Sequence, residues 1–308
     1  MPDVKEIASG LGFPEGPVAM SDGSVIVTEI ANRRLTRVGP DGSVDVVAEP
    51  GGGPNGAAIG PDGKLYVANN GAAFDYVDVE GISVPRQPPS NHEGGRIERV
   101  DIASGEVEVL YTDCDGRALR APNDLVFDND GGFYFTDHGI REERTSDRTG
   151  VFYARADGSE IREVIMPLDA PNGVGLSPDG SRIYVAETYT ACVWWWAVKG
   201  PGEIEIAPGL LPHGGTFLTR LPGFQFLDSL AVDADGNVCL ATLGSGGITS
   251  VSPEDGSVVD FIETGDIFTT NICFGRDDLK TGYVTLSASG KLGEVAWPRA
   301  GLELAYSA

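Results

Sequence analysis

One short unit recurs six times along this chain of 308 residues and constrains its fold more than any other feature. It appears as SDGSVIVTE from Ser21, PDGKLYVAN from Pro61, NDGGFYFTD from Asn129, PDGSRIYVAE from Pro178 and ADGNVCLAT from Ala234. RDDLKTGYVT from Arg276 is a degenerate sixth copy. Each turn follows a short apolar stretch (GPVAM, GAAIG, LVFDN, GVGLS, LAVDA, ICFG), so the unit is strand, tight turn, strand. Aspartate-glycine turns between apolar runs are the signature of β-hairpins. A second apolar alternation follows the hairpin, as in 34–49, 95–112 and 150–165, and brings the count to four strands per unit. Four-stranded units at this spacing are propeller blades rather than solenoid coils. The expectation is therefore an all-β chain, a six-bladed β-propeller with four antiparallel strands per blade, forming one domain over 1–308. The segment VKEIASG (4–10) can supply an outer strand to the last blade and so join the chain ends.

Seven residues before the turn positions Asp22, Asp62, Asp130, Asp179, Asp235 and Asp278 stand Glu15, Asn55, Asn123, Asn172, Asp228 and Asn271. All six are carboxylates or carboxamides. Turn chemistry accounts for the individual asparagines, but not for Glu15 and Asp228. In a propeller the innermost strand of each blade lines the central channel, so these positions meet at one mouth near the axis. Six hard oxygen donors with two formal charges suit one divalent cation, Ca²⁺ first, with Mg²⁺, Mn²⁺ and Zn²⁺ as alternatives. Without a cation, two carboxylates so close would repel or raise one pKa.

Hairpin geometry brings the end of the second strand to the same face, which adds Glu29, Asn69, Asn70, His138, Glu187 and Leu243. A neutral His138 imidazole there could move a proton or hydrogen-bond a ligand. Asn55 and Glu29 are expected to contact substrate. Residues 70–95 interrupt the second blade and read as a lid insertion carrying Phe74, Tyr76 and His92 towards bound ligand. The run Trp194-Trp195-Trp196 reads as blade packing.

Composition narrows the function classes. A net charge of −24 argues against nucleic acid as a partner. No apolar run is long enough for a bilayer and the N-terminus lacks signal-peptide features, so no membrane partner and a cytoplasmic location are expected. The four cysteines have no CxxC spacing and read as reduced thiols; three histidines are too few for a His-rich metal centre. No GxSxG elbow appears. Nothing in the sequence speaks to oligomeric state.

The segments FPEGPVAMSDGSVIVTE (13–29), APNDLVFDNDGGFYFTD (121–137), APNGVGLSPDGSRIYVAE (170–187), LDSLAVDADGNVCLAT (227–242) and TTNICFG (269–275) together resemble the senescence-marker protein, regucalcin and gluconolactonase family. The resemblance implies a six-bladed propeller and metal-dependent opening of a lactone, a small cyclic ester. It implies Glu15, Asn172 and Asp228 as metal ligands, Asn123 as a further ligand or substrate contact, and Asp228 as the base beside the metal. Two departures stand out. An arginine common two residues before the third-blade asparagine is here Ala121, and the fifth anchor reads Leu227-Asp228-Ser229 after two phenylalanines, Phe224 and Phe226. With Phe226 at the mouth, the substrate is expected to be more apolar than gluconolactone. Two other readings use the same ring: a non-catalytic calcium-binding or ligand-sensing propeller, and a hydrolase of organophosphates or other esters.

Overall fold

The computed structural model describes residues 4–307. Its strands form six antiparallel sheets of at least four strands, arranged as the blades of a six-bladed β-propeller, and no helix occurs among the described residues. The innermost strands are Pro14–Ala19, Pro54–Ile59, Pro122–Phe127, Pro171–Leu176, Phe226–Val232 and Thr269–Gly275. Each pairs with the strand that follows its aspartate turn, so the recurring unit of the sequence is the inner hairpin of every blade. Blade 4 departs from the plain pattern, since both Glu203–Ile204 and Thr216–Arg220 pair with its long third strand Cys192–Gly200.

The aromatic and β-branched residues after each turn fill the space between blades. Tyr66 of blade 2 packs with Phe127, Phe133 and Phe135 of blade 3, and Tyr184 of blade 4 packs with Leu230 and Leu240 of blade 5. Trp196 is buried in the cluster between blades 3 and 4, as the packing reading of the tryptophan run expects.

Closure uses the chain ends. Lys5–Ser9 pairs antiparallel with Lys291–Ala296 and becomes the outermost strand of blade 6. Ile7 and Ala8 there pack in one cluster with Leu292. Deletion through Ser9 is expected to cost roughly 3–5 kcal/mol by uncovering this apolar surface. It would also open an unpaired edge on Lys291–Ala296. Urea unfolding of the truncated and full chains measures the difference.

One regularity is silent in the sequence. Every innermost strand slips register against its partner by one residue beside the anchor position, at or just after it in the first five blades and just before it in the sixth, between Glu15 and Val18, Pro54 and Ala57, Pro122 and Leu125, Pro171 and Val174, Leu227 and Leu230, and Thr269 and Asn271. A bulge re-aims a side chain and bends its strand. Five of them at equivalent places, and a sixth just before its anchor, turn the anchors towards a common mouth. The glycine after the anchor has a steric cause as well. A Cβ on Gly56 would stand 2.6 Å from the Asn123 carbonyl oxygen, so the neighbouring inner strand leaves no room for one.

Residues 70–95 leave blade 2 as a hairpin of Asp75–Val79 and Ile82–Arg86. At one end the Ser83 N–H donates to the Ala288 carbonyl of blade 6 at 3.2 Å. At the other, Gln87 accepts from the Arg141 N–H at 3.1 Å and donates to the Ala73 carbonyl at 3.1 Å. The hairpin thus reaches from blade 2 to blade 6 on one side and to the blade 3 loop on the other.

Candidate active site on the propeller axis

The six anchors converge. Glu15 is buried, and its Oε2 accepts from the Gly16 N–H and from Asn271 Nδ2, each at 2.7 Å. Among the described residues, its Oε1 is buried without a hydrogen-bond partner, as are Asn55 Oδ1 and Asn123 Oδ1. Asn172 donates to Thr188 Oγ1 at 3.1 Å. Asp228 retains some surface exposure yet lies deep among protein atoms, beside Asn172 and the Ser229 N–H. Asn271 differs from the others: its amide donates to Glu15 and its oxygen accepts from the Ile272 N–H, so it orients Glu15 rather than offering a free oxygen.

Sequence reasoning passed over Asp124, the residue after Asn123. Equivalent positions in three other blades are Gly16, Gly56 and Gly173, and that break in the pattern was the available signal. Asp124 is buried, with its carboxylate accepting from the Leu125 N–H at 2.9 Å and the Val174 N–H at 3.2 Å. Three carboxyl groups therefore share the axis, and all are weakened as acids. Burial pushes Glu15 well above its ordinary value, and the charge of Asp228 pushes it further. Burial raises Asp228, and it raises Asp124 to about 7.

No group of three or more His, Cys, Asp and Glu side chains gathers as a metal cluster among the described residues. The axial donor set is of another kind, in which carboxylates are joined by carboxamide oxygens. A buried oxygen left without a partner costs about 1–3 kcal/mol, and here three such oxygens stand at anchor positions, one on Glu15 and two on the carboxamides of Asn55 and Asn123. A hard divalent cation matches this chemistry, because it takes oxygen ligands of both types. Glu15, Asn55, Asn123, Asn172 and Asp228 are the residues whose oxygens fit it.

The second set divides. Glu29 is wholly buried and accepts from the Gly12 N–H, Asn32, Arg34 and Thr36. Burial opposes its ionisation, but these bonds outweigh burial and hold its pKa below the ordinary value. Asn69 and Asp137 serve in the same way, accepting from the N–H groups of Gly53 and Gly71 and of Arg120, Ala121 and Gly139. Glu187 accepts from the Asp169 N–H, Thr190 and Trp194. These side chains tie the strand entering each blade to the turn leaving it. All of Glu29's oxygens are engaged in that task, so we leave it out of the binding set.

His138 is different. It is buried with Nδ1 3.1 Å from the Gly139 carbonyl oxygen, so Nδ1 carries the proton and Nε2 is left as an acceptor. Burial lowers its pKa to about 4, which keeps the ring neutral at physiological pH. Its ring stands edge-on to Phe74 from the hairpin and to Tyr189, each at 5.7 Å between centroids. Tyr189 in turn meets Phe226 at 5.6 Å, and Phe226 meets Phe224 at 5.2 Å. Phe224 is 86% exposed and Phe226 is half-buried, so neither of the two phenylalanines is among the buried residues of a blade core. On the other side Tyr76 packs on Phe13 at 4.8 Å, and its hydroxyl is buried without a partner. Burial, then the charges of Glu15 and Asp228, raise the Tyr76 pKa, which sets the phenol beside the axial carboxylates. His92 sits at the foot of the hairpin, bonded to the Arg120 carbonyl at 2.8 Å. Tyr189 lies at no repeated position, whereas Phe13 stands two residues before its anchor as Phe226 does, and that equivalence was the signal available for it.

A family model described as the SMP-30/Gluconolactonase/LRE-like region matches residues 13–288. The chain belongs to this family. Among members and relatives of the SMP-30/gluconolactonase group, the gluconolactonase of Zymomonas mobilis is 28% identical over 305 residues, covering 89% of this chain and 76% of that protein. Lactonase drp35 of Staphylococcus haemolyticus is 29% identical, covering 75% of this chain and 64% of its own length. Among solved structures, a gluconolactonase of Xanthomonas campestris superposes with a TM-score of 0.74 at 22% identity, covering 95% of this chain and 89% of that one. Regucalcin of Agrobacterium tumefaciens, a calcium-binding protein, gives 0.73 at 16% identity over 99% and 98% of the two chains. At these identities the superpositions speak for the fold. No helix among the described residues is long and apolar enough to cross a membrane.

Proposed function

We propose that this protein is a metal-dependent lactonase whose reaction takes place at the axial mouth. The observation that carries the reading is the convergence of Glu15 and Asp228 with the unpartnered oxygens of Asn55 and Asn123, in a family whose relatives include a gluconolactonase and a lactonase. Glu15, Asn123, Asn172 and Asp228 would hold one divalent cation, with Ca²⁺ favoured by the all-oxygen donor set. Such a cation, when bound, supplies Lewis-acid polarisation of the ester carbonyl.

The rest falls to the chain itself. Asp228, the more exposed axial carboxylate, takes a proton from the attacking water as its oxygen bonds to the lactone carbon. The same proton then passes to the ring oxygen as the C–O bond breaks, leaving a hydroxy acid. His138 Nε2 accepts a hydrogen bond from water or substrate and, being neutral, adds no charge. Asn55 and Asn123 present acceptors to substrate hydroxyls where the cation does not occupy them. Phe74, Tyr76 and Phe226 enclose the lactone ring, and the 70–95 hairpin acts as the lid that excludes bulk water. This aromatic lining supports a substrate more apolar than gluconolactone.

A panel of γ- and δ-lactones assayed before and after EDTA treatment tests the proposal. Turnover is expected to fall at least 100-fold on chelation and to return with Ca²⁺. Turnover indifferent to chelation would remove the cation from the reaction. Absence of turnover on every lactone and ester, with Ca²⁺ still bound, would leave a sensing propeller.

A further inference from the structure

Arg141 has no part in the chemistry above. It follows His138 by three residues, in the loop that receives Gln87 of the hairpin. Its guanidinium carbon lies 3.6 Å from the centroid of the Tyr189 ring, on the same tyrosine that bridges His138 and Phe226. Nη2 reaches Asp169 Oδ1 at 2.6 Å. Stacking on a ring and one ion pair hold the planar group in place, which is how an arginine is pre-organised for a further partner. Its Nε is buried and has no hydrogen-bond partner among the described residues. The aromatic wall of the mouth therefore contains a fixed guanidinium whose side chain remains 36% exposed, in a chain whose net charge is −24.

We propose that Arg141 selects lactones carrying a carboxylate substituent, which it binds while the lactone carbonyl faces the axis. A guanidinium matches a carboxylate with charge-assisted hydrogen bonds, and a site built to bond a group discriminates strongly against an analogue lacking it. The proposal names the substrate class of the lactonase reading and rests on it. It confines the apolar character of the substrate to the ring, since a flat lactone ring without hydroxyls suits the aromatic wall while its one charged substituent suits Arg141.

The test uses 5-oxotetrahydrofuran-2-carboxylate and the matching carboxamide, which have the same ring and shape but differ in charge. With Ca²⁺-loaded protein, kcat/KM is expected to favour the carboxylate on the order of 10- to 100-fold. In Arg141→Gln that ratio collapses to about one, and Arg141→Lys recovers part of it. A wild-type ratio near one, or variants that lower both substrates by one factor, would overturn the proposal and return Arg141 to a structural role on Tyr189 and Asp169. Calorimetric titration with 2-hydroxyglutarate, the product of opening the carboxylate lactone, does not need turnover. If neither lactone is opened but 2-hydroxyglutarate binds the wild type and not Arg141→Gln, the hydrolase reading fails while the recognition stands. If lactones are opened without Arg141-dependent preference or binding, only the present inference fails.

Discussion

Replacing Asp228 with asparagine is expected to lower kcat for lactone opening by roughly 10³-fold, the usual worth of a positioned general base. The substitution keeps size and an oxygen donor, and removes the proton acceptor together with one charge. Those two losses separate in a Ca²⁺ titration. Glu15→Gln is the comparison, because Glu15 is buried and its Oε2 is held by the Gly16 N–H and Asn271. Its part in the proposed site is that of a ligand only, so raising Ca²⁺ should restore most of the activity of Glu15→Gln. Asp228→Asn should stay slow at saturating Ca²⁺. Full rescue of both variants would make Asp228 a ligand only, and native rates in both without added Ca²⁺ would move the catalytic centre off the axis.

How much of this could be read beforehand follows from where each group sits in the repeat. The blades were legible because aspartate-glycine turns recur with apolar runs on both sides, and the ring of anchors because its spacing from those turns is constant. The six bulges are hidden by that same constancy, since an extra residue present in every blade leaves no irregularity to notice. Glu29 illustrates another limit. A carboxylate at the end of a second strand looks the same in sequence whether it faces a ligand or accepts the N–H of an incoming loop, and only the bonds to Gly12, Asn32, Arg34 and Thr36 decide. The aromatic wall was half visible. Phe74, Tyr76 and Phe226 were accessible from the lid and the fifth anchor, and Phe13 stands at the position in the first blade that Phe226 holds in the fifth, whereas Tyr189 and Arg141 come from connections whose lengths differ between blades, so no repeat position points to them.

The axial carboxyls also dictate a stability effect that runs opposite to the ordinary behaviour of paired acids. Asp124 is raised from 3.8 to about 7 by burial, and Glu15 and Asp228 are displaced in the same direction. A carboxyl whose folded pKa lies above its unfolded value favours the folded state while protonated, so its contribution is complete below pH 4 and is lost as pH rises through about 7. For Asp124 alone the loss is on the order of 4 kcal/mol. In a chain of this length that corresponds to roughly 6 °C in melting temperature. About 1.7 kcal/mol of that loss is already incurred by pH 5, so the cation-free protein is expected to melt roughly 4 °C or more lower at pH 8 than at pH 5. Divalent cation opposes this loss, because it binds the ionised carboxylates and competes with protons for them. Ca²⁺ at 100 times its dissociation constant adds about 2.7 kcal/mol, and that gain should be large at pH 8 and small at pH 5. Melting curves at the two pH values, each with EDTA and with Ca²⁺, give the four numbers required. A Ca²⁺ gain equal at both pH values would mean that the ion binds away from Glu15 and Asp228. A cation-free protein no less stable at pH 8 would mean that the axial carboxyls already find their positive partner within the chain, which would leave the unpartnered oxygens of Glu15, Asn55 and Asn123 without the cation that explains them.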